Sequence, residues 1–123
     1  MYAETTIVAP ATPYGYGGIS VIRLSGSKCI DIVTNYISQS AATLFKSPRT
    51  AITTGFNNSY GEEIDRIIVT YFKQPSSYTG EDVIEISCHG NPAIVQQIIS
   101  DHDGFIRLQN NDSGTTFTIE LPA

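Results

Sequence analysis

Apolar and polar residues alternate through most of this 123-residue chain, and two stretches break into a helical rhythm. Residues 5–9 (TTIVA) read as a short strand stopped by Pro10 and Pro13, and the loop 10–18 (PATPYGYGG) consists of turn formers. Residues 18–25 (GISVIRLS) alternate and carry β-branched side chains, the pattern of a strand. A helix is expected over 26–38, where Cys29, Ile30, Val33 and Ile37 share a face, with Ser25 or Ser27 as its N-cap. Residues 49–57 and 63–73 are expected to be strands joined by a turn around Asn57–Gly61. PSSYTG (75–80) is a loop and DVIEISCH (82–89) a strand. PAIVQQIISDH (92–102) is the second main helix, with Ile94, Val95, Ile98 and Ile99 as its apolar stripe and Gly104 as its C-cap. Residues 104–123 form a hairpin around NNDSG, with Phe117, Ile119 and Leu121 on one face. The sum is an α+β fold, a mixed β-sheet with two main helices.

Composition narrows the class. A hydrophobic fraction of 41 % and a charged fraction of 15 % are those of an ordinary globular domain, and the length suits one domain over 1–123. Seven basic residues stand against twelve acidic ones, a net charge of −5. A domain that grips nucleic acid through its phosphates normally has the opposite balance, so no direct nucleic-acid binding is expected. No run approaches the roughly 18 apolar residues of a membrane span. The N-terminus lacks the features of a signal peptide, so a cytoplasmic protein with no membrane contact is expected. Cys29 and Cys88 are then reduced thiols, and the sequons at Asn57 and Asn111 carry no meaning.

Few residues invite chemistry. Gly15, Gly17 and Gly18 cluster, but they open a strand rather than a helix, so a tight turn is the better reading than a phosphate loop. Asp101, His102 and Asp103 lack the spacing of a metal site, and no catalytic residue is assigned. His89 beside Cys88 is not a nucleophile–base pair, because neighbours on a strand face opposite ways; a strand-end histidine capping the next turn is expected. Arg23 and Glu85 are more informative. Each is a lone charge in an otherwise apolar strand, and a charge buried without a partner is expensive. Either they pair with each other or face solvent, or a polar ligand supplies part of the pairing.

Three separated stretches also resemble a known family. TIVAPATPYGYGGISVIRLSG (6–26), PRTAITTGF (48–56) and IDRIIVTYFKQPSSYTGEDVIEISCHGNPAIVQQI (64–98) are similar to the N-terminal domain of the tRNA modification GTPase family MnmE (TrmE), over about residues 5–98. The resemblance implies a fold akin to aminomethyltransferase-like folate-binding domains. It implies binding of 5-formyl- or methylenetetrahydrofolate as a one-carbon cofactor, a homodimer, and a flavin-dependent partner protein in tRNA wobble-uridine modification. The family's folate-contacting arginine and glutamate fall on Arg23 and Glu85, and the Gly15–Gly18 loop and Tyr78–Gly80 turn are pocket walls. A carboxylate suits the paired N–H donors of a pterin edge, and a guanidinium suits carbonyl or carboxylate oxygens. The family's PGEFTKRAFLNGK-like block, whose lysine also contacts folate, has no counterpart here, and there is no GTP-binding loop. These residues are therefore not expected to be an enzyme on their own.

Residues 93–123 resemble the closing helix and strands of histidine-kinase ATPase domains, without the boxes that bind ATP. They imply an atypical helix–hairpin closure of the domain. The alternative to a folate-binding module is a structural or interaction domain, or a fusion product, with a non-functional folate pocket.

Overall fold

The computed structural model describes residues 6–13, 15–58, 60–101, 105–111 and 114–120, from 101 onward as backbone alone. The chain runs β1 (Ile7–Pro10), β2 (Ile19–Ser25), α1 (Cys29–Val33), α2 (Ala41–Lys46), β3 (Ile52–Asn57), β4 (Glu63–Phe72), β5 (Val83–His89), α3 (Pro92–Asp101), β6 (Phe105–Asn111) and β7 (Gly114–Glu120). The strands form one seven-stranded sheet in the order β3-β4-β5-β2-β1-β7-β6. Every pairing is antiparallel, which corrects the expectation of a mixed sheet. Parallel neighbours need a crossover that returns beside the strand it left. Here the two helical crossovers, β2 to β3 and β5 to β6, deliver the chain to the two outer edges instead.

The alternation along the strands decides which face is covered. On the central pair, Ile22 and Leu24 of β2 stand opposite Ile86 and Ile84 of β5, all fully buried. They join Val8, Phe56, Ile67, Val69 and Tyr71 from the other strands in a single core. The helices close that core with Cys29, Ile30 and Val33 of α1, Leu44 of α2, and Val95, Ile98 and Ile99 of α3. The apolar stripe expected for the last helix is thus the one that packs.

The first helix is shorter than its apolar spacing suggests, and a third helix is present. α1 stops at Val33 because the Thr34 hydroxyl donates back to the carbonyls of Ile30 (3.0 Å) and Asp31 (3.2 Å), while Asn35 and Tyr36 bond three residues back. Neither Ser25 nor Ser27 caps it: the capping position is Lys28, whose own N–H donates to the Thr6 hydroxyl at 3.2 Å. α2 is only six residues, too short to show a period, and is capped by the Ser40 hydroxyl accepting from the Thr43 N–H at 3.2 Å. Gly104 and the Asp112–Ser113 part of the expected hairpin turn lie outside the described residues, as do His102 and Asp103.

Candidate ligand site on the open face of the sheet

The residues between those core positions point the other way, to a face that no helix covers. Val21, Arg23, Glu85 and Ser87 are half-buried there, and Ile19 and His89 are exposed. Arg23 and Glu85 are direct cross-strand partners, flanked by Ala9 on β1 and Thr70 on β4. Arg23 Nη2 and Nε both donate to Glu85 Oε2, at 2.7 and 3.1 Å. The Tyr78 ring lies across the guanidinium with its centroid 4.6 Å from Cζ, a cation–π contact. Each side chain of the ion pair is still about a quarter exposed, 26 and 27 %.

Both suspicious charges therefore find each other, 62 residues apart in sequence. The pairing is incomplete in a useful way. Glu85 Oε1 and Arg23 Nη1 make no hydrogen bond among the described residues. The pair thus presents an acceptor and a donor side by side on a partly shielded surface, which is the chemistry that recognises a flat heterocycle with adjacent N–H and carbonyl groups.

The loop that carries Tyr78 is tied to the end of β2. The Ser25 hydroxyl lies 2.8 Å from the Thr79 hydroxyl and donates to Glu81 Oε2 at 3.0 Å, and the Gly26 N–H donates to the Asp82 carbonyl at 2.9 Å. Asp82 closes the base of the loop by accepting from the Tyr71 hydroxyl (3.0 Å) and the Gln74 N–H (2.9 Å). Gly26 has φ +138°, and a Cβ there would fall 2.7 Å from Thr6 Cα, so glycine is required at this junction. Of the Tyr78–Gly80 turn, it is Tyr78 that meets the pair, through its ring over Arg23.

At the opposite end of β2 the glycine loop is a docking element, not an anion cradle. Gly17 N–H donates to the Gly90 carbonyl at 2.9 Å, and Gly90 N–H donates to the Gly18 carbonyl at 3.3 Å. A Cβ on Gly90 would sit 2.4 Å from the Gly17 oxygen. The crevice beside this loop, lined by Pro10, Thr12, Pro13, Gly15, Ser20, Pro92 and Val95, is too tight to admit water, and it lies apart from Arg23 and Glu85.

His89 is held by a residue that sequence reasoning missed. Asp65 Oδ1 lies 2.6 Å from His89 Nδ1, and Oδ2 accepts the His89 N–H at 2.9 Å. The signal was present: Asp65 shares the strand face of Ile67, Val69 and Tyr71, so a carboxylate falls at a core position and requires a partner. Cys88, on the opposite face from His89, is buried, and so is Cys29. Burial pushes the Cys29 thiol up to about 12 and the Cys88 thiol to about 11, so neither is a nucleophile at neutral pH. Among the described residues no group of three metal-ligating side chains occurs, and no helix is long and apolar enough to cross a membrane.

The fold and the site define an α+β domain that presents a charged pair on the uncovered face of an antiparallel sheet. Residues 6–111 match the family described as GTP-binding protein TrmE N-terminus, and the chain belongs to that family. The match runs past α3 through β6, beyond the stretch up to residue 98 in which the resemblance is visible by motif. Relatives described as "tRNA modification GTPase MnmE" include those of Bdellovibrio bacteriovorus, 47 % identical over 79 % of this chain, and Francisella philomiragia, 46 % identical over 80 %. That of Thermotoga maritima is 42 % identical over 76 % of the chain. The chain spans about a fifth of the length of these relatives.

Proposed function

We propose that this chain is the reduced-folate-binding and dimerising module of a cytoplasmic assembly that modifies the wobble uridine of tRNA. Its fold would be of the aminomethyltransferase-like type, working with a flavin-dependent partner protein. One observation carries the reading: the Arg23–Glu85 pair sits on an uncovered face, roofed on one side by Tyr78, with Glu85 Oε1 and Arg23 Nη1 unused. The residues present suit a reduced folate. Glu85 would accept from the pterin's N–H edge and Arg23 would hold a carbonyl or glutamyl carboxylate oxygen. The bound folate would supply the one-carbon unit. For Glu85 to accept two parallel N–H donors, Arg23 must give up one of its two bonds to Oε2, so ligand binding competes with the internal pair. The lysine that the family adds elsewhere has no counterpart here; one lost charged contact is worth roughly 1–3 kcal/mol, or about ten- to hundred-fold in affinity.

A second reading has its own observation. Arg23 and Glu85 already satisfy each other's charge, so the pair can also serve a structural or interaction domain with no working pocket. Calorimetric titration with 5-formyltetrahydrofolate separates the two. Saturable binding by the native chain, abolished by Glu85→Ala, is expected. No heat from a folded chain at ligand up to about 1 mM, a binding free energy near 4 kcal/mol, would leave only the structural reading.

A further inference from the structure

Among the described residues four cations form no ion pair; Lys28 precedes α1, and the other three fall close together along the fold. Lys46 ends α2, Arg49 follows it by three residues, and Lys73 is the first residue past β4. Two contacts place the segments that carry them beside Tyr71, two residues before Lys73. The Phe45 ring meets the Tyr71 ring edge-on at 5.6 Å, and the Arg49 N–H donates to the Tyr71 carbonyl at 2.7 Å. All three cations are exposed, and none forms an ion pair among the described residues. Arg23 and Arg66, by contrast, are bonded to Glu85 and Glu63. The nearest carboxylate to this rim by connectivity, Asp82, is engaged by the Tyr71 hydroxyl and the Gln74 N–H.

The backbone adds an independent sign. Arg49 has φ +58°, in the left-handed region that residues with a side chain seldom occupy. Glycine would sit there without strain, yet the position carries a cation. Phe45, the residue before Lys46, leaves 53 % of its surface exposed.

Unpaired cations around an exposed aromatic ring are the chemistry of contact with a nucleic-acid strand, phosphates on the charges and a base against the ring. We propose that Lys46, Arg49 and Lys73, with the exposed ring of Phe45, form a contact for the phosphate backbone of an RNA. The proposal rests on the tRNA-directed role stated above and concerns a surface separate from the folate pair. The net charge of −5, which argues against nucleic acid for the chain as a whole, is an average; a local patch acts within a Debye length. An acidic polypeptide would satisfy the charges but make no use of the ring, which is why RNA is favoured.

The test is fluorescence anisotropy of labelled unfractionated tRNA with the full chain, titrated over a range of salt. Saturable binding at low salt is expected, weakened at least ten-fold in the triple variant Lys46→Ala/Arg49→Gly/Lys73→Ala. The log–log salt slope should fall by about 2–3, three contacts at about 0.7–0.9 each. Arg49→Gly alone should weaken binding while its thermal midpoint stays at or above the parent's, because it relieves the left-handed residue. Glu85→Ala should leave tRNA binding unchanged, so loss of folate binding and loss of RNA binding are read separately. Absence of tRNA binding at low salt, or equal binding by the triple variant, would overturn the proposal. So would preference for labelled poly-glutamate over tRNA, which would assign the rim to an acidic protein.

Discussion

The two faces of the central β2–β5 pair share one set of backbone hydrogen bonds and differ in everything else. On one face Ile22, Leu24, Ile84 and Ile86 are fully buried under the helices. On the other, one residue along, Val21, Arg23, Glu85 and Ser87 are only partly covered. The covered face is explained by packing alone, since each of its side chains removes apolar surface from water. The open face is not. A salt bridge a quarter exposed contributes little to stability, and Val or Thr at both positions would satisfy a strand equally well. What the contrast teaches is where to look for function: in residues whose presence the fold does not require.

The largest effect expected from this contrast comes with alkaline pH, and it belongs to the covered face. Cys29, Cys88 and Tyr71 all lie there, with the two thiols pushed up to about 12 and about 11, and the phenol to about 12. Burial is the main cause for each, and for Tyr71 the hydroxyl's bond to Asp82 adds to it. In the unfolded chain the thiols ionise near 9 and the phenol near 10, so above those values the unfolded state binds fewer protons than the native one. Stability from these groups is therefore fully present below about pH 8.5 and is lost as pH rises toward 11–12, at up to about 1.4 kcal/mol per pH unit for each group. Urea unfolding midpoints between pH 8 and 11 should fall steeply, while both thiols stay inert to iodoacetamide in the native state at pH 8. Rapid alkylation of the folded chain at that pH would contradict the burial.

Next in size is a pair of substitutions at adjacent positions. Leu24→Ala should cost about 2–5 kcal/mol, the range for emptying a packed aliphatic site. Arg23→Ala, one residue away, should cost about 1 kcal/mol or less, because Glu85 is left in contact with water. Denaturant unfolding of both variants measures the difference between the faces directly. If Arg23→Ala proved as damaging as Leu24→Ala, the open face would be a structural network, and the ligand reading would lose its main argument.

Legibility in the sequence follows the same division. The covered face was readable because alternation is local: Ile22 and Leu24 announce a buried face within one strand, and Arg23 and Glu85 stood out by interrupting it. Their partnership was open, since nothing in the spacing of residues 62 apart shows that two strands are neighbours. Strand order was unreadable for the same reason; it depends on where the crossovers deliver the chain, and the antiparallel sheet replaced a mixed one. α2 escaped because six residues fall short of two helical turns, too few for a repeat to show, and α1 ended early because the Thr34 hydroxyl competes for the helix carbonyls. The blocks that carried the family resemblance prove to be physical junctions. The glycine loop meets Gly90, and Ser25–Gly26 meets the Thr79–Asp82 segment, so motifs distant in sequence adjoin in space.

An effect smaller than that of Leu24→Ala tests where the two faces meet. Asp65 begins at a core position on β4, yet its carboxylate accepts both the backbone N–H and the ring of His89, whose side chain is 70 % exposed. Gly90, the next residue, holds the loop through Gly17 and Gly18. Asp65→Ala leaves the His89 N–H without its acceptor and should cost about 1–3 kcal/mol, whereas Asp65→Asn keeps one acceptor and should cost about 1 kcal/mol. Hydrogen exchange locates the damage. In Asp65→Ala the Gly17 amide should exchange faster, because its acceptor Gly90 is no longer anchored, while the Leu24 amide in the centre of the sheet should change only with global stability. Unchanged protection at Gly17 would mean that the glycine loop is fastened by its own bonds, from Ala11 N–H to Val21 carbonyl and from Val21 N–H to Thr12, and that Asp65 serves His89 alone.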